Sequence, residues 1–287
     1  MAKAKTKGRA KGRQAKPKQA EGRRHFWRLP RFAWLLIAVA IVGIVVLIRL
    51  YPPGQPPSGN SGTPRAAIVD QLSVLQENPA FIAEVTGQLE ECGFEVDLYQ
   101  GDEITVAFYR GLSARGYKVI VFRAHSGILE EDETVHLKTT VFTNELYSAF
   151  RYQVDQWEDR LFRATIGEEY DWVFSISPKF IRESMPGRFD DTVIIMMGCA
   201  GIYIDDLATA FIDKGASAYL AWDATVLLNY VDSATLHLVD QLFSERRTIR
   251  EAVDSTMRVI GPDPRYGADL QYYPPGIGGK TLAGLTG

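Results

Sequence analysis

Two nine-residue stretches carry the chain's most reactive side chains in matching settings. "VIVFRAHSG" (119–127) ends in His125, Ser126 and Gly127, and "VIIMMGCAG" (193–201) ends in Gly198, Cys199, Ala200 and Gly201. Each opens with an apolar run of strand length, so each delivers its His or Cys to the point where a strand ends and the backbone turns. A thiol attacks a carbonyl carbon well only as the thiolate. A nucleophilic Cys therefore needs a neighbouring base that takes its proton and later returns one to the leaving group. Histidine does both near neutral pH. His125 and Cys199 are thus the candidate acid/base and nucleophile, provided that the two strands are neighbours. Gly198 and Gly201 allow tight turns and close approach of a substrate, while the backbone amides of Cys199 and of Ser126 or Gly127 are candidates for an oxyanion hole.

The remaining histidines and the second cysteine lie apart from this pair. His25 flanks an apolar run, His136 falls in an alternating stretch, His237 in a helical one, and Cys92 just before a helix-ending Gly93. They have no metal-ligand spacing, so no metal site is expected. The two cysteines are expected to act separately rather than as a disulfide. "PPGIGGKT" (274–281) comes near a phosphate-binding loop, but Pro274 stands where the first glycine belongs and no strand is expected before it.

The elements that must position the pair follow from the hydrophobic pattern. Strands are expected at 66–72, 94–100, 117–124, 192–198 and 216–222, and helices at 78–92, 105–116, 205–215, about 233–246 and 248–258. This alternation predicts an α/β domain with a mostly parallel central sheet between two helical layers, a three-layer sandwich. In such sheets, sites lie beyond the carboxyl ends of the strands, which is where His125 and Cys199 fall. An insertion at about 132–190 breaks the rhythm. Its first part, "ETVHLKTTVFT" (133–143), alternates like a hairpin, and 144–190 is charged, with one strand expected at 171–177. It is expected to lie outside the main sheet, near the site.

Strand, His-Ser-Gly, hairpin, strand, Gly-Cys-x-Gly, helix and then "GASAYLAWDATV" resembles the caspase-like cysteine peptidases: caspases, metacaspases, legumains, gingipains, separases and CHAT domains. The resemblance covers about 66–260. It implies a caspase/hemoglobinase fold and hydrolysis of peptide bonds through a thioester, with His125 as acid/base, Cys199 as nucleophile and no cofactor. Ser126 stands where that family usually has Gly directly after the His. Because the family sets specificity near strand exits, Asp70, Trp222 and Asp223 become candidate substrate contacts. Asp70 and Asp223 would form an acidic pocket for Arg or Lys; read as plain structural residues, they would end a strand and cap a turn. The alternative function is a catalytically inactive caspase-like domain that binds peptides or organises a membrane complex. A flavodoxin-like ligand domain would need a glycine-rich turn after the first strand, and "VDQLSVLQENP" has none.

The N-terminal fifth has a different composition. Residues 1–31 hold twelve Lys or Arg against the single Glu21, a net charge of +11, and the remaining 20 basic and 34 acidic residues give the rest of the chain −14. The tail lacks the apolar residues a fold needs and is expected to be disordered, cytoplasmic and close to anionic lipid. Without aromatic interleaving, nucleic acid is not an expected partner. "FAWLLIAVAIVGIVVLI" (32–48), extended to residue 51, is long enough to span a bilayer and has no polar face. A Tyr-Pro-Pro follows it rather than a small-residue cleavage site, so an uncleaved signal anchor is expected, with the basic side in the cytoplasm and the following domain outside. Residues 52–64 read as a Pro/Gly/Ser linker, 65–287 as the caspase-like domain, and 262–287 as its flexible C-terminal tail.

Overall fold

The computed structural model describes residues 62–131 and 136–286. The basic tail (1–31), the expected span (32–51) and the linker as far as residue 61 lie outside the described residues. Among those described, no helix is long and apolar enough to cross a membrane.

The chain runs β1 (Arg65–Asp70), α1 (Pro79–Glu91), β2 (Glu95–Gln100), α2 (Val106–Leu112) and β3 (Val119–Arg123). A hairpin of β4 (Ser126–Glu131) and β5 (His136–Leu146) follows, then α3 (Gln153–Trp157), β6 (Leu161–Ala164), β7 (Val173–Ile176) and α4 (Pro178–Glu183). The remainder is β8 (Thr192–Met196), α5 (Asp206–Asp213), β9 (Ala216–Trp222), α6 (Leu228–Phe243), α7 (Ile249–Val259) and β10 (Leu270–Tyr273). Six strands form the central sheet in the order β10-β9-β8-β3-β1-β2. All its pairings are parallel except that of β10 with β9. β3 and β8 are buried along their whole length, and their unbroken apolar runs are what a strand covered on both faces requires.

Helices cover both faces. On one, Phe81, Val85 and Leu89 of α1, Leu238 and Leu242 of α6 and Val253 of α7 pack on Ile68, Val121, Ile195 and Leu220. On the other, Tyr109 of α2, Phe180 of α4 and Phe211 of α5 meet Phe122, Met196 and Ala221. The side chains of Asn78 and Thr248 start α1 and α7 by accepting backbone N–H groups of the first turn, and Gly93 at φ +87° ends α1. The domain is α/β, with a mostly parallel sheet in a three-layer sandwich.

Two segments differ from expectation. The hairpin starts directly at Ser126 rather than near residue 133, and with β6 and β7 it builds a separate antiparallel sheet in the order β4-β5-β7-β6. "SGILEE" hides this strand because its glycine and acids carry no strand signal. The expected flexible tail, 262–287, is instead packed structure. β10 pairs antiparallel on β9, directly before the "PPGIGGKT" stretch, and Ala268, Leu270, Ile277, Leu282 and Leu285 are buried in the α1/α6/α7 layer. Its apolar residues are spaced irregularly among prolines and glycines, so no period reveals them, yet they cover the edge of β9 that would otherwise be unpaired.

The chain leaves β1 toward β2 on one side and returns through α2 to β3 on the other. The crevice beyond the carboxyl ends of β1 and β3 is therefore the sheet's topological switch point.

Candidate active site

β3 and β8 are hydrogen-bonded neighbours, with Phe122 opposite Met196, so His125 and Cys199 leave adjacent strands. Beyond the ladder the two exits touch. Met197 N–H donates to Phe122 O at 2.9 Å, and Ser126 Oγ donates to Cys199 O at 2.7 Å. A Cβ on Gly198 would lie 2.1 Å from Ser126 Oγ and 2.6 Å from Ala124 O. Gly198 is thus required by the close approach of two backbones. At Gly201 a Cβ would sit 3.0 Å from the Cβ of Ala221.

The amides around the sulfur follow from the same turn. Met197 and Ala200 donate to Phe122 O and Ala224 O, whereas the Gly198 N–H between them meets no backbone acceptor among the described residues and the Cys199 N–H faces its own sulfur. An amide without an acceptor, next to one that faces the thiol, is a fitting receptor for a carbonyl oxygen that gains charge. Ser126 and Gly127 open β4 in register with Val141 and Thr140, so the hairpin ladder orients their amides.

The two side chains do not meet. The His125 ring lies against Phe142 of β5, centroids 5.8 Å apart, while the backbone N–H of His125 donates to Gln71 Oε1 at 2.9 Å. Burial, helped by the nearby Arg123 guanidinium, lowers the imidazole to about 4, so it is neutral at pH 7 and its protonated form is disfavoured until a negative charge develops beside it. The Cys199 thiol points instead to the segment before α6, donating to Val226 O at 3.8 Å. Burial pushes it up, and the Asp263 carboxylate acts in the same direction. The resting pair is neutral imidazole and neutral thiol.

The expected acidic pocket is corrected by the geometry. Asp70 is fully buried. Its Oδ1 accepts from Arg123 Nη1 at 2.9 Å and its Oδ2 from Gln100 Nε2 at 3.1 Å, leaving no face for a substrate cation. Trp222 is a core residue, edge-on to Tyr230 at 5.5 Å, and so is not a substrate contact. Asp223 Oδ1 accepts the Asp269 N–H at 2.8 Å, tying the end of β9 to the start of β10.

Sequence reasoning missed the network beneath the site. Arg123 is fully buried and bridges Asp70 to Asp232 of α6, with Nε at 2.9 Å and Nη2 at 3.1 Å from the latter's two oxygens. Asn78 at the start of α1 donates to Asp232 Oδ2 at 2.7 Å. Burial disfavours the charged guanidinium, and the two carboxylates more than offset this. The available signal was an Arg inside the apolar run "VIVFRA", since a cation in a buried strand demands a partner.

Above this network, beyond the ends of β1 and β3, opens a cavity of about 250 Å³ with His125 in its wall. Cys199 is not among its lining residues. The insertion contributes Thr165, Ile166, Tyr170 and Asp171 to the lining. No family model matches the chain, and no curated protein matches it.

Proposed function

We propose that the chain is a membrane-anchored caspase-like cysteine endopeptidase in which Cys199 attacks the scissile carbonyl and His125 moves the proton. The observation that carries this reading is the contact of the two strand exits at Gly198, which sets His125 and Cys199 on touching backbones beside the unpartnered Gly198 amide. The hairpin directly after His125 and the helix after Cys199 match the order of elements that the resemblance rests on. In the reaction the thiol leaves the Val226 carbonyl and gives its proton to His125, and sulfur bonds to the substrate carbon while the oxyanion takes the Gly198 and Cys199 N–H groups. His125 returns the proton to the leaving nitrogen as the C–N bond breaks, and water then hydrolyses the thioester. No cofactor is needed. The span at 32–51 would hold the domain outside the cytoplasm, where its partner is a peptide or protein substrate.

The test is cleavage of a fluorogenic peptide library by the full chain in detergent, beside Cys199→Ala and His125→Ala. Activity that falls at least about a hundredfold in both variants supports the pair. Activity that survives Cys199→Ala removes it.

A second reading has a specific observation in its favour. The thiol is hydrogen-bonded away from the imidazole and is held protonated, as expected of a caspase-like fold that binds peptides without turning them over. Iodoacetamide separates the two: a bound peptide accelerates alkylation of Cys199 if the site is assembled by substrate, and leaves it unchanged in a binding module.

A further inference from the structure

The cavity beside His125 is assembled from six places in the chain: the turn after β1 (Gln71, Leu75), the turn after β2 (Asp102), the end of β3 (His125), β5 (Phe142, Asn144), the loop after β6 (Ile166) and β7 (Val173). Its volume of about 250 Å³ is below the roughly 300–1,000 Å³ typical of sites for drug-sized ligands. It suits one side chain rather than a nucleotide or a cofactor.

Its polar floor is closed on itself. Gln71 accepts the His125 N–H and donates to Asn144 Oδ1 at 2.7 Å. Asn144 in turn donates to the carbonyl oxygens of Gln71 at 3.0 Å and Gly101 at 2.9 Å. Thr165 Oγ1, also in the lining, is engaged with Gly167 O at 2.8 Å. Most of what remains for an occupant is apolar wall, with Leu75, Phe142, Ile166 and Val173 around it and the His125 ring and Tyr170 as its polar edges. An apolar group entering here leaves the Gln71, Asn144 and Thr165 hydrogen bonds intact and lies beside the His125 ring, whereas a charged one finds no buried partner. The carboxylates of Asp102 and Asp171 also line the cavity, on exposed residues outside any ion pair among those described, and they repel acidic groups at the mouth.

We propose that this cavity seats the apolar side chain of a substrate residue flanking the scissile bond, making Leu, Met or Phe preferred there over basic, acidic and small residues. The proposal rests on the peptidase reading above and replaces the basic-residue pocket expected from Asp70 and Asp223. Ile166 is 40% and Leu75 44% exposed, so both can be changed at the mouth without opening the core.

The experiment uses the full chain in detergent with fluorogenic peptides varied at both residues flanking the cleaved bond. Wild type, Ile166→Trp and Leu75→Ala are compared for turnover, and Cys199→Ala for binding of the same peptides by fluorescence polarisation. The expected result is cleavage at least about tenfold faster with Leu or Phe than with Ala at one flanking position. Ile166→Trp, which fills the cavity, moves the optimum to Ala or Val, and Leu75→Ala relaxes the preference toward larger side chains. Cleavage that prefers Lys, Arg, Asp or Glu, or a preference untouched by Ile166→Trp, overturns the cavity assignment and leaves the peptidase standing. Tight binding of Leu or Phe peptides without any cleavage overturns the peptidase and keeps the cavity as a binding pocket. Neither cleavage nor binding overturns both.

Discussion

Changing Gly198 to Ala places a methyl carbon about where Ser126 Oγ now donates to Cys199 O. The neighbours include the backbone oxygen of Ala124, which cannot swing away, so the two strand exits must part. Such overpacking costs about 1–3 kcal/mol, and urea unfolding of Gly198→Ala should show it together with loss of cleavage. Restoring space with Ser126→Gly in the double variant should not rescue stability fully, because Ala124 O is also too close. His125 makes a pH prediction. Its folded value near 4 lies below the roughly 6.5 of an unfolded imidazole, so unfolding takes up a proton between those values. The associated stability is complete above about pH 6.5 and is lost as pH falls to 4, a total of about 3 kcal/mol. His125→Gln should lack that part of the acid slope in a series of urea titrations.

At the scale of elements, β3 is held to its surroundings by charge as well as by packing. Arg123 joins it to the end of β1 through Asp70 and to α6 through Asp232. Removing one partner leaves the other charges buried and under-compensated, so Asp232→Ala should cost about 3–5 kcal/mol, measured by thermal or urea unfolding. The elements show what a sequence exposes and what it hides. β1, β3, β8 and β9 were legible because burial on both faces writes them as continuous apolar runs, and α1, α5 and α7 because their apolar residues recur at helical spacing. α2 ends at Leu112, four residues earlier than its pattern suggested. The second sheet was hidden because β4 and β6 are short and half polar and take their stability from neighbours across the ladder rather than from local pattern. For the site, two residues in matching contexts pointed to His125 and Cys199. The directions of their side chains did not follow, because rotamers are set by Phe142 and Val226, which are distant in sequence from one or both partners. Asp70 failed as a pocket residue for the same reason, since its partner Arg123 is 53 positions away.

The whole chain is electrically divided, with +11 on residues 1–31 and −14 on the remainder. An excess of positive charge on one flank of an apolar run fixes that flank in the cytoplasm. Trypsin added outside inside-out membrane vesicles should therefore trim the basic tail and spare residues 65–287, and right-side-out vesicles should give the reverse. The described domain has a polarity of its own. The chain enters the central sheet at Arg65, the first residue of β1, whereas His125, Cys199 and the cavity lie past the opposite ends of the parallel strands. Six residues of strand at about 3.3 Å each separate the two ends by roughly 20 Å. Whatever holds the chain at residue 62 therefore grips the domain by its base and leaves the site at the far tip. On the anchored peptidase reading proposed above, the height of the sheet adds to the distance at which the site works, and a change in the length of chain before residue 62 would shift that distance without altering a single residue of the site.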